Sequence, residues 1–141
     1  MSYLLDTNVI SEWTRPRPKP SVVAWLAAAN EDDVFLSVVT FAELRRGVEL
    51  LRDGVRRERL ASWIDHDLAG RFHGRVLNVD RILADVWGDV MARSQRDGRP
   101  LSAMDGFLAA TATLHDLTLV TRNARDFEVL PIRLYNPWEV D

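Results

Sequence analysis

Apolar positions along the chain alternate between two patterns. Tyr3-Leu4-Leu5, Val34-Phe35-Leu36-Ser37-Val38, Val76-Leu77-Asn78-Val79, Leu117-Thr118-Leu119-Val120-Thr121 and Ile132-Arg133-Leu134-Tyr135 are short apolar runs bounded by polar residues, as in strands buried on both faces. Between them, apolar residues recur at three- and four-residue spacing. Val22, Val23, Trp25 and Leu26 follow Ser21, which is read as the cap of a helix to about Asn30. Thr40 opens another through Glu43, Leu44, Val48 and Leu51, and Leu60, Trp63, Ile64 and Leu68 mark one from Val55 to Leu68. Asp80 caps a helix carrying Ile82, Leu83, Val86, Trp87, Val90 and Met91, and Ser102 caps one ending near His115.

Asp6-Thr7-Asn8 stops the first strand and starts a helix. Arg15-Pro16-Arg17-Pro18-Lys19-Pro20 cannot continue it, because proline lacks the N–H and disfavours helical geometry in the residue before it. Strands separated by helices, joined by right-handed crossovers, predict an α/β fold: one small, mainly parallel sheet of four to five strands covered on both faces. No repeat or linker interrupts it, so residues 1–141 are read as a single domain.

Composition narrows the chemistry. The 141 residues contain no Cys, which excludes disulfides, Cys-ligated zinc, iron–sulfur clusters and thiol nucleophiles and suits a reducing cytoplasm. His66, His73 and His115 share no metal-binding spacing. No basic, then apolar, leader is visible at the start and no 18-residue apolar run occurs, so a cytoplasmic protein without membrane association is expected. The net charge of −3 argues against a general DNA-coating protein, yet all but one of the 18 basic residues are Arg, the side chain suited to bidentate phosphate contacts.

In open α/β sheets, ligands bind beyond the carboxyl ends of the strands. Asp6 follows the first strand; Asn123 and Asp126 follow the fourth; Glu43 and Asp105 sit near helix starts. Each has an ordinary reading: Asp6 as a helix cap, Glu43 in Thr-x-x-Glu and Asp105 in Ser-x-x-Asp as capping boxes, Asp126 in an Asx turn. Independent caps have no reason to converge on one sheet edge. Carboxylates that do converge repel one another unless protonated or neutralised, and a hard divalent cation is the usual solution.

Leu4-Leu5-Asp6-Thr7-Asn8-Val9, Thr40-x-x-Glu43-Leu44, Asp105-Gly106-x-Leu108-Ala109-Ala110-Thr111 and Leu119-Val120-Thr121-Arg122-Asn123-x-x-Asp126-Phe127 stand in the order and spacing of PIN-domain ribonucleases. The chain most resembles the VapC-type toxins of bacterial type II toxin–antitoxin pairs, over essentially its whole length. The resemblance implies a PIN-like three-layer α/β/α fold. It also implies an acidic pocket of Asp6, Glu43, Asp105 and Asp126 for Mg²⁺ or Mn²⁺, with Thr7, Asn8, Thr121 and Asn123 as supporting or substrate-orienting groups. Hydrolysis of RNA would leave a 5′-phosphate and a 3′-hydroxyl. A cognate antitoxin would occupy a groove formed by the 21–30, 40–51 and 55–68 helices, in a homodimer or a toxin–antitoxin hetero-oligomer. DNA would be met only through the antitoxin.

Setting the four acids aside moves the charge balance from −3 to +1, so the remaining surface tolerates RNA. Arg15, Arg17 and Lys19 on the proline loop, with Arg45 and Arg46 on the Glu43 helix, are candidate backbone contacts; an ordinary solvated face is the alternative. Two competing classes fit less well. A receiver domain expects a Lys after a late strand, and the only Lys is Lys19; a dehalogenase-type phosphatase expects D-x-D where Asp6-Thr7-Asn8 stands. A PIN-like binding module without catalysis is the remaining alternative.

Overall fold

Five strands, β1 (Tyr3–Leu5), β2 (Val34–Ser37), β3 (Val76–Leu77), β4 (Thr118–Val120) and β5 (Leu134–Tyr135), form one all-parallel sheet in the order β3-β2-β1-β4-β5. The computed structural model describes residues 1–139; Val140 and Asp141, the end of the expected domain, lie outside the described residues. The chain builds the sheet outward from β1 in one direction and then returns to its other side with β4. The reversal leaves a crevice beyond the carboxyl ends of β1 and β4.

Adjacent residues in the strands face opposite layers. Leu4 and Leu119 pack with Leu83, Val90 and Leu108 from helices α6 (Arg81–Arg96) and α7 (Ala103–His115). Leu5 and Val120 pack with Val9, Ile10, Val22, Leu26, Leu68 and Phe72 on the other face, under α1 (Thr7–Glu12), α2 (Pro20–Ala28), α3 (Val38–Glu49) and the segment after α4 (Val55–Ser62). With both faces covered, every strand position favours an apolar side chain, which is why the strands read as unbroken apolar runs. Among the described residues no helix is long and apolar enough to cross a membrane.

Three local expectations are corrected. Pro20, not Ser21, begins α2, because its fixed φ suits the first helical position; Lys19 occupies the cap without a side-chain bond, and the Ser21 hydroxyl is buried without a partner among the described residues. Ser37, not Thr40, caps α3, its Oγ accepting from Val39 N at 3.0 Å, so the helix starts earlier and Glu43 is released from any capping box. The helix expected from Val55 to Leu68 leaves α geometry after Ser62, passes through a π-helical turn (Trp63–Leu68) and ends in α5 (Ala69–Arg71). A π turn changes the side-chain spacing locally, a shift that the apolar periodicity does not report. All three histidines are exposed.

Candidate active site

Asp6 is the residue at which β1 becomes α1. Its N–H continues the sheet by donating to Val120 O at 2.9 Å, while its carboxylate caps the helix: Oδ1 accepts from Thr7 N at 2.6 Å. Oδ2 accepts from Thr121 Oγ1 at 2.8 Å and Asn8 Nδ2 at 3.3 Å. The cap reading of Asp6 therefore holds. The residue is only 5% exposed. Burial, foremost, pushes its carboxyl from 3.8 up to about 6; Thr121 and the Thr7 N–H oppose the shift, and the charges of Asp105 and Glu43 add to it.

Glu43 projects from the second turn of α3 and accepts from Thr7 Oγ1 at 2.7 Å; the same Thr7 hydroxyl lies 3.2 Å from Thr40 Oγ1. Asp105 sits in the first turn of α7, its backbone N–H donating to Ser102 Oγ at 3.2 Å. Half of the expected Ser-x-x-Asp box is thus formed. The Asp105 carboxyl is raised by burial first, with Ser102 opposing and the charges of Glu43 and Asp126 adding. Gly106 beside it lets α7 approach α6: a Cβ there would run into Met91 Sδ and stand 2.9 Å from Trp87 Nε1. Asp6, Thr7, Asn8, Glu43, Asp105 and Asn123 line one cavity of about 380 Å³.

Other expected residues are distributed around it. Thr121 is fully buried beneath Asp6 and also accepts from Asn123 N at 3.0 Å, so one hydroxyl ties both strand ends together. Asp126 is exposed on a 3₁₀ turn (Ala124–Phe127), outside the cavity lining but near enough for its charge to raise Asp105. Arg15 lines the cavity, whereas Arg17, Lys19 and Arg46 are exposed away from it and Arg45 is ion-paired with Asp65.

The cavity also contains Ser11, Glu12 and Trp138, which lie outside the sequence motifs, and Arg122, which stands within one without being singled out there as a site residue. Glu12 is 3% exposed. Its charge sits six residues beyond Asp6, near the end of α1, and nothing in local spacing distinguishes it from a solvated glutamate. The Arg122 guanidinium lies over the Trp138 ring, 5.6 Å from its centroid. Trp138 reaches the site because the chain after β5 folds back: Asn136 Nδ2 donates to Arg122 O at 3.1 Å, and Asn136 Oδ1 accepts from Trp138 N at 2.9 Å.

The donor chemistry suits a hard divalent cation: the acids are carboxylates, the charges of Asp105 and Glu43 help to raise the partly desolvated Asp6, and those of Glu43 and Asp126 help to raise Asp105. Two of the four lone-pair positions available on the Asp6 carboxylate lie on Oδ1, which accepts one hydrogen bond, and this leaves room for an ion. Among the described residues, no group of three or more His, Asp or Glu closes into a ready ligand set. The Glu43 carboxylate is instead turned to Thr7.

A three-layer domain with an all-parallel five-stranded sheet and carboxylates gathered where its strand order reverses defines an acid-centred α/β class. Within that class the chain belongs to the PIN-domain family, whose profile matches residues 3–132. It is 41% identical over 135 residues to Toxin FitB of Neisseria gonorrhoeae, spanning 96% of this chain and 97% of FitB. It is 35% identical over 136 residues to VapC ribonuclease Y4jK of Sinorhizobium fredii, spanning 96% and 97%. The structure of FitAB bound to a DNA fragment superposes with a TM-score of 0.93 at 38% identity, covering 99% of this chain and 97% of that one.

Proposed function

We propose that this protein is a metal-dependent endoribonuclease toxin, working as one domain and neutralised by a cognate antitoxin protein. The observation that carries the reading is the convergence of Asp6, Glu43 and Asp105 on one cavity at the carboxyl edge of the sheet. Kinship to a named ribonuclease and a named toxin supports the reaction class.

Asp6 and Asp105 would hold Mg²⁺ or Mn²⁺, with Asp126 joining from the rim and Glu43 reaching either a second ion or the attacking water. When bound, the metal supplies a more acidic water and neutralises charge on the attacked phosphate. The chain's own groups do the positioning. Thr7 fixes Glu43 by donating to its Oε1, which leaves the other carboxylate oxygen for an ion or the attacking water. Thr121, Asn8 and Asn123 brace Asp6 and the end of β4, where the RNA backbone would lie. In-line attack of water on phosphorus then breaks the P–O3′ bond, and the 3′-oxygen leaves with a proton.

A groove of about 240 Å³ runs from this site between α1, α3, α4 and the π turn, lined among others by Leu44, Val48, Leu51, Leu60, Trp63 and Ile64. It shares Thr7 and Glu43 with the acid cavity, so a segment of antitoxin lying in it reaches the acids directly. The FitAB complex that this chain resembles is bound to DNA. In this reading the antitoxin makes the contact with DNA, within a dimeric or hetero-oligomeric assembly.

Partner-free protein incubated with total bacterial RNA and Mg²⁺ or Mn²⁺ should give discrete new ends carrying 5′-phosphates, absent with EDTA and with Asp6→Asn. No cleavage by folded, metal-bound protein would overturn the assignment and leave a binding module.

A further inference from the structure

Several arginines of this chain are committed to its own backbone and acids. Arg75 donates to Val34 O, Arg99 to Arg125 O and Arg133 to Asp116, while Arg57 is shared between Glu49 and Asp53 and Arg71 pairs with Glu31. Two arginines line the acid cavity, and they are mounted differently.

Arg15 is the first. Its Nε lies 3.1 Å from Glu12 Oε1, while Glu12 Oε2 accepts from Lys19 N at 2.8 Å. A carboxylate that is 3% exposed thus closes the loop between α1 and α2 from both ends and fixes the root of an arginine whose side chain is 60% exposed. A buried charge is costly unless paired and hydrogen-bonded, and Glu12 is both. Using Nε for this pair leaves the two terminal amino groups of Arg15 available, the geometry of a fork that grips phosphate. The second is Arg122. Its backbone is pinned on both sides, N–H to Asn8 Oδ1 at 3.3 Å and carbonyl to Asn136 Nδ2 at 3.1 Å, and its guanidinium lies over Trp138 without an acidic partner among the described residues. The aromatic face orients the cation without neutralising it.

We propose that Arg15 and Arg122 form a two-armed grip on the RNA backbone across the mouth of the acid cavity, with Glu12 as the positioning residue for the first arm and Trp138 as the platform for the second. The grip rests on the ribonuclease reading. It supplies the positive charge that a cavity lined by Asp6, Glu43 and Asp105 needs before a polyanion can approach, and it takes that charge from two separate segments of the lining: the loop after α1 and the chain after β4.

The test is binding of a fluorescein-labelled single-stranded RNA oligonucleotide in EDTA, as a function of KCl, alongside cleavage kinetics in Mg²⁺ or Mn²⁺. Each phosphate that the protein neutralises adds about 0.7 to the steepness with which log K falls against log salt. Arg15→Ala and Arg122→Ala should each make that dependence shallower by about one phosphate's share, weaken binding several-fold and raise KM while kcat stays within about threefold. Glu12→Gln separates positioning from bulk charge: deleting a negative charge from the cavity by itself tightens RNA binding, whereas loss of positioning weakens it. Glu12→Gln should therefore bind more weakly than the wild type, and combining it with Arg15→Ala should add nothing. Trp138→Phe should retain binding, and Trp138→Ala should behave as Arg122→Ala does. Circular dichroism and melting of each variant establish that it is folded, and Arg122→Ala, at an exposed side chain, keeps the test open if Glu12→Gln unfolds.

Unchanged salt slopes in both arginine variants, or tighter binding by Glu12→Gln, would overturn the grip. If the wild type cleaves and Asp6→Asn does not while the arms have no effect, the grip alone fails; if the wild type neither binds nor cleaves RNA, the ribonuclease reading fails with it.

Discussion

Thr121 Oγ1 donates to Asp6 Oδ2 at 2.8 Å across 115 positions of sequence, joining the carboxyl ends of the two strands that flank the switch point. The hydroxyl is fully buried and also accepts from Asn123 N, so its two bonds hold the central acid and the start of the following turn together. Thr121→Val keeps the shape and deletes both. A hydrogen bond to a charged group contributes about 1.5–3 kcal/mol, and the stranded Asn123 N–H adds to the loss. Urea denaturation should show destabilisation of that order, with kcat reduced about tenfold or more. An unchanged kcat would mean that Asp6 holds its place without Thr121.

The proton affinity of Asp6 gives a pH signature. Its carboxyl titrates at about 6 in the fold against 3.8 when unfolded, chiefly because it is buried. The folded state therefore binds the proton more tightly, so stability of the metal-free protein falls as pH rises from about 4 to about 6 and then levels off. The shift corresponds to about 3 kcal/mol at 1.36 kcal/mol per unit. Asp6→Asn should lose this component and be more stable than the wild type at pH 7 by about 1–3 kcal/mol, while losing cleavage. The check is the difference between the two denaturation profiles from pH 4 to 8, since Asp105 is raised by burial and by the charges of Glu43 and Asp126, all of which the variant retains. A constant difference across that range would contradict the assignment.

Adding Mg²⁺ reverses the same cost. A cation held by Asp6 and Asp105 favours their ionised forms, so millimolar Mg²⁺ or Mn²⁺ should raise the melting temperature of the wild type above pH 6 and do so less at pH 4.5. Asp6→Asn should respond little. Equal shifts in both proteins would point to binding elsewhere.

Much of this was readable in sequence because buried strands and amphipathic helices carry strong periodicity. The apolar runs at Leu4-Leu5 and Leu119-Val120 identify the central strands since both of their faces are covered. Asp6, Glu43 and Asp105 stood out because strand ends and helix starts converge on one edge of a parallel sheet. Glu12 and Trp138 did not, for a physical reason. Glu12 is buried by the return of its own loop onto it, and Trp138 enters the site through Asn136 and the chain after β5; both depend on tertiary closure rather than local pattern. The cap of α3 is hidden for a different reason: Ser37 continues the apolar run of β2 in sequence, and only the structure shows the strand ending there with its Oγ accepting from Val39 N.

Gly106 is a point of close approach between α7 and α6. Gly→Ala inside a helix ordinarily gains up to about 1 kcal/mol, but here the methyl would meet Met91 Sδ and Trp87 Nε1, and Trp87 is held by its bond to Ala103 O at 3.0 Å. Met91 can rotate away; Trp87 cannot without losing that bond. Overpacking costs about 1–3 kcal/mol, so Gly106→Ala should be net destabilising and should also shift Asp105, lowering activity in the surviving folded protein. A stabilised, fully active variant would show that the two helices can separate freely.

Ser37 and Thr40 make a paired test of how Glu43 is placed. Ser37 is fully buried and its Oγ accepts from Val39 N at 3.0 Å at the first turn of α3, so Ser37→Ala strands a buried N–H and should cost about 1–2 kcal/mol. Thr40→Val removes only a 3.2 Å hydroxyl contact from a Thr7 proton that Glu43 accepts at 2.7 Å. Its cost should stay below about 1 kcal/mol, with the Thr7–Glu43 bond intact and activity near that of the wild type. Thermal and urea denaturation of the two variants rank them directly. If Thr40→Val were the more damaging, the helix would be entered at Thr40, and Glu43 would be committed to capping rather than to the acid cavity.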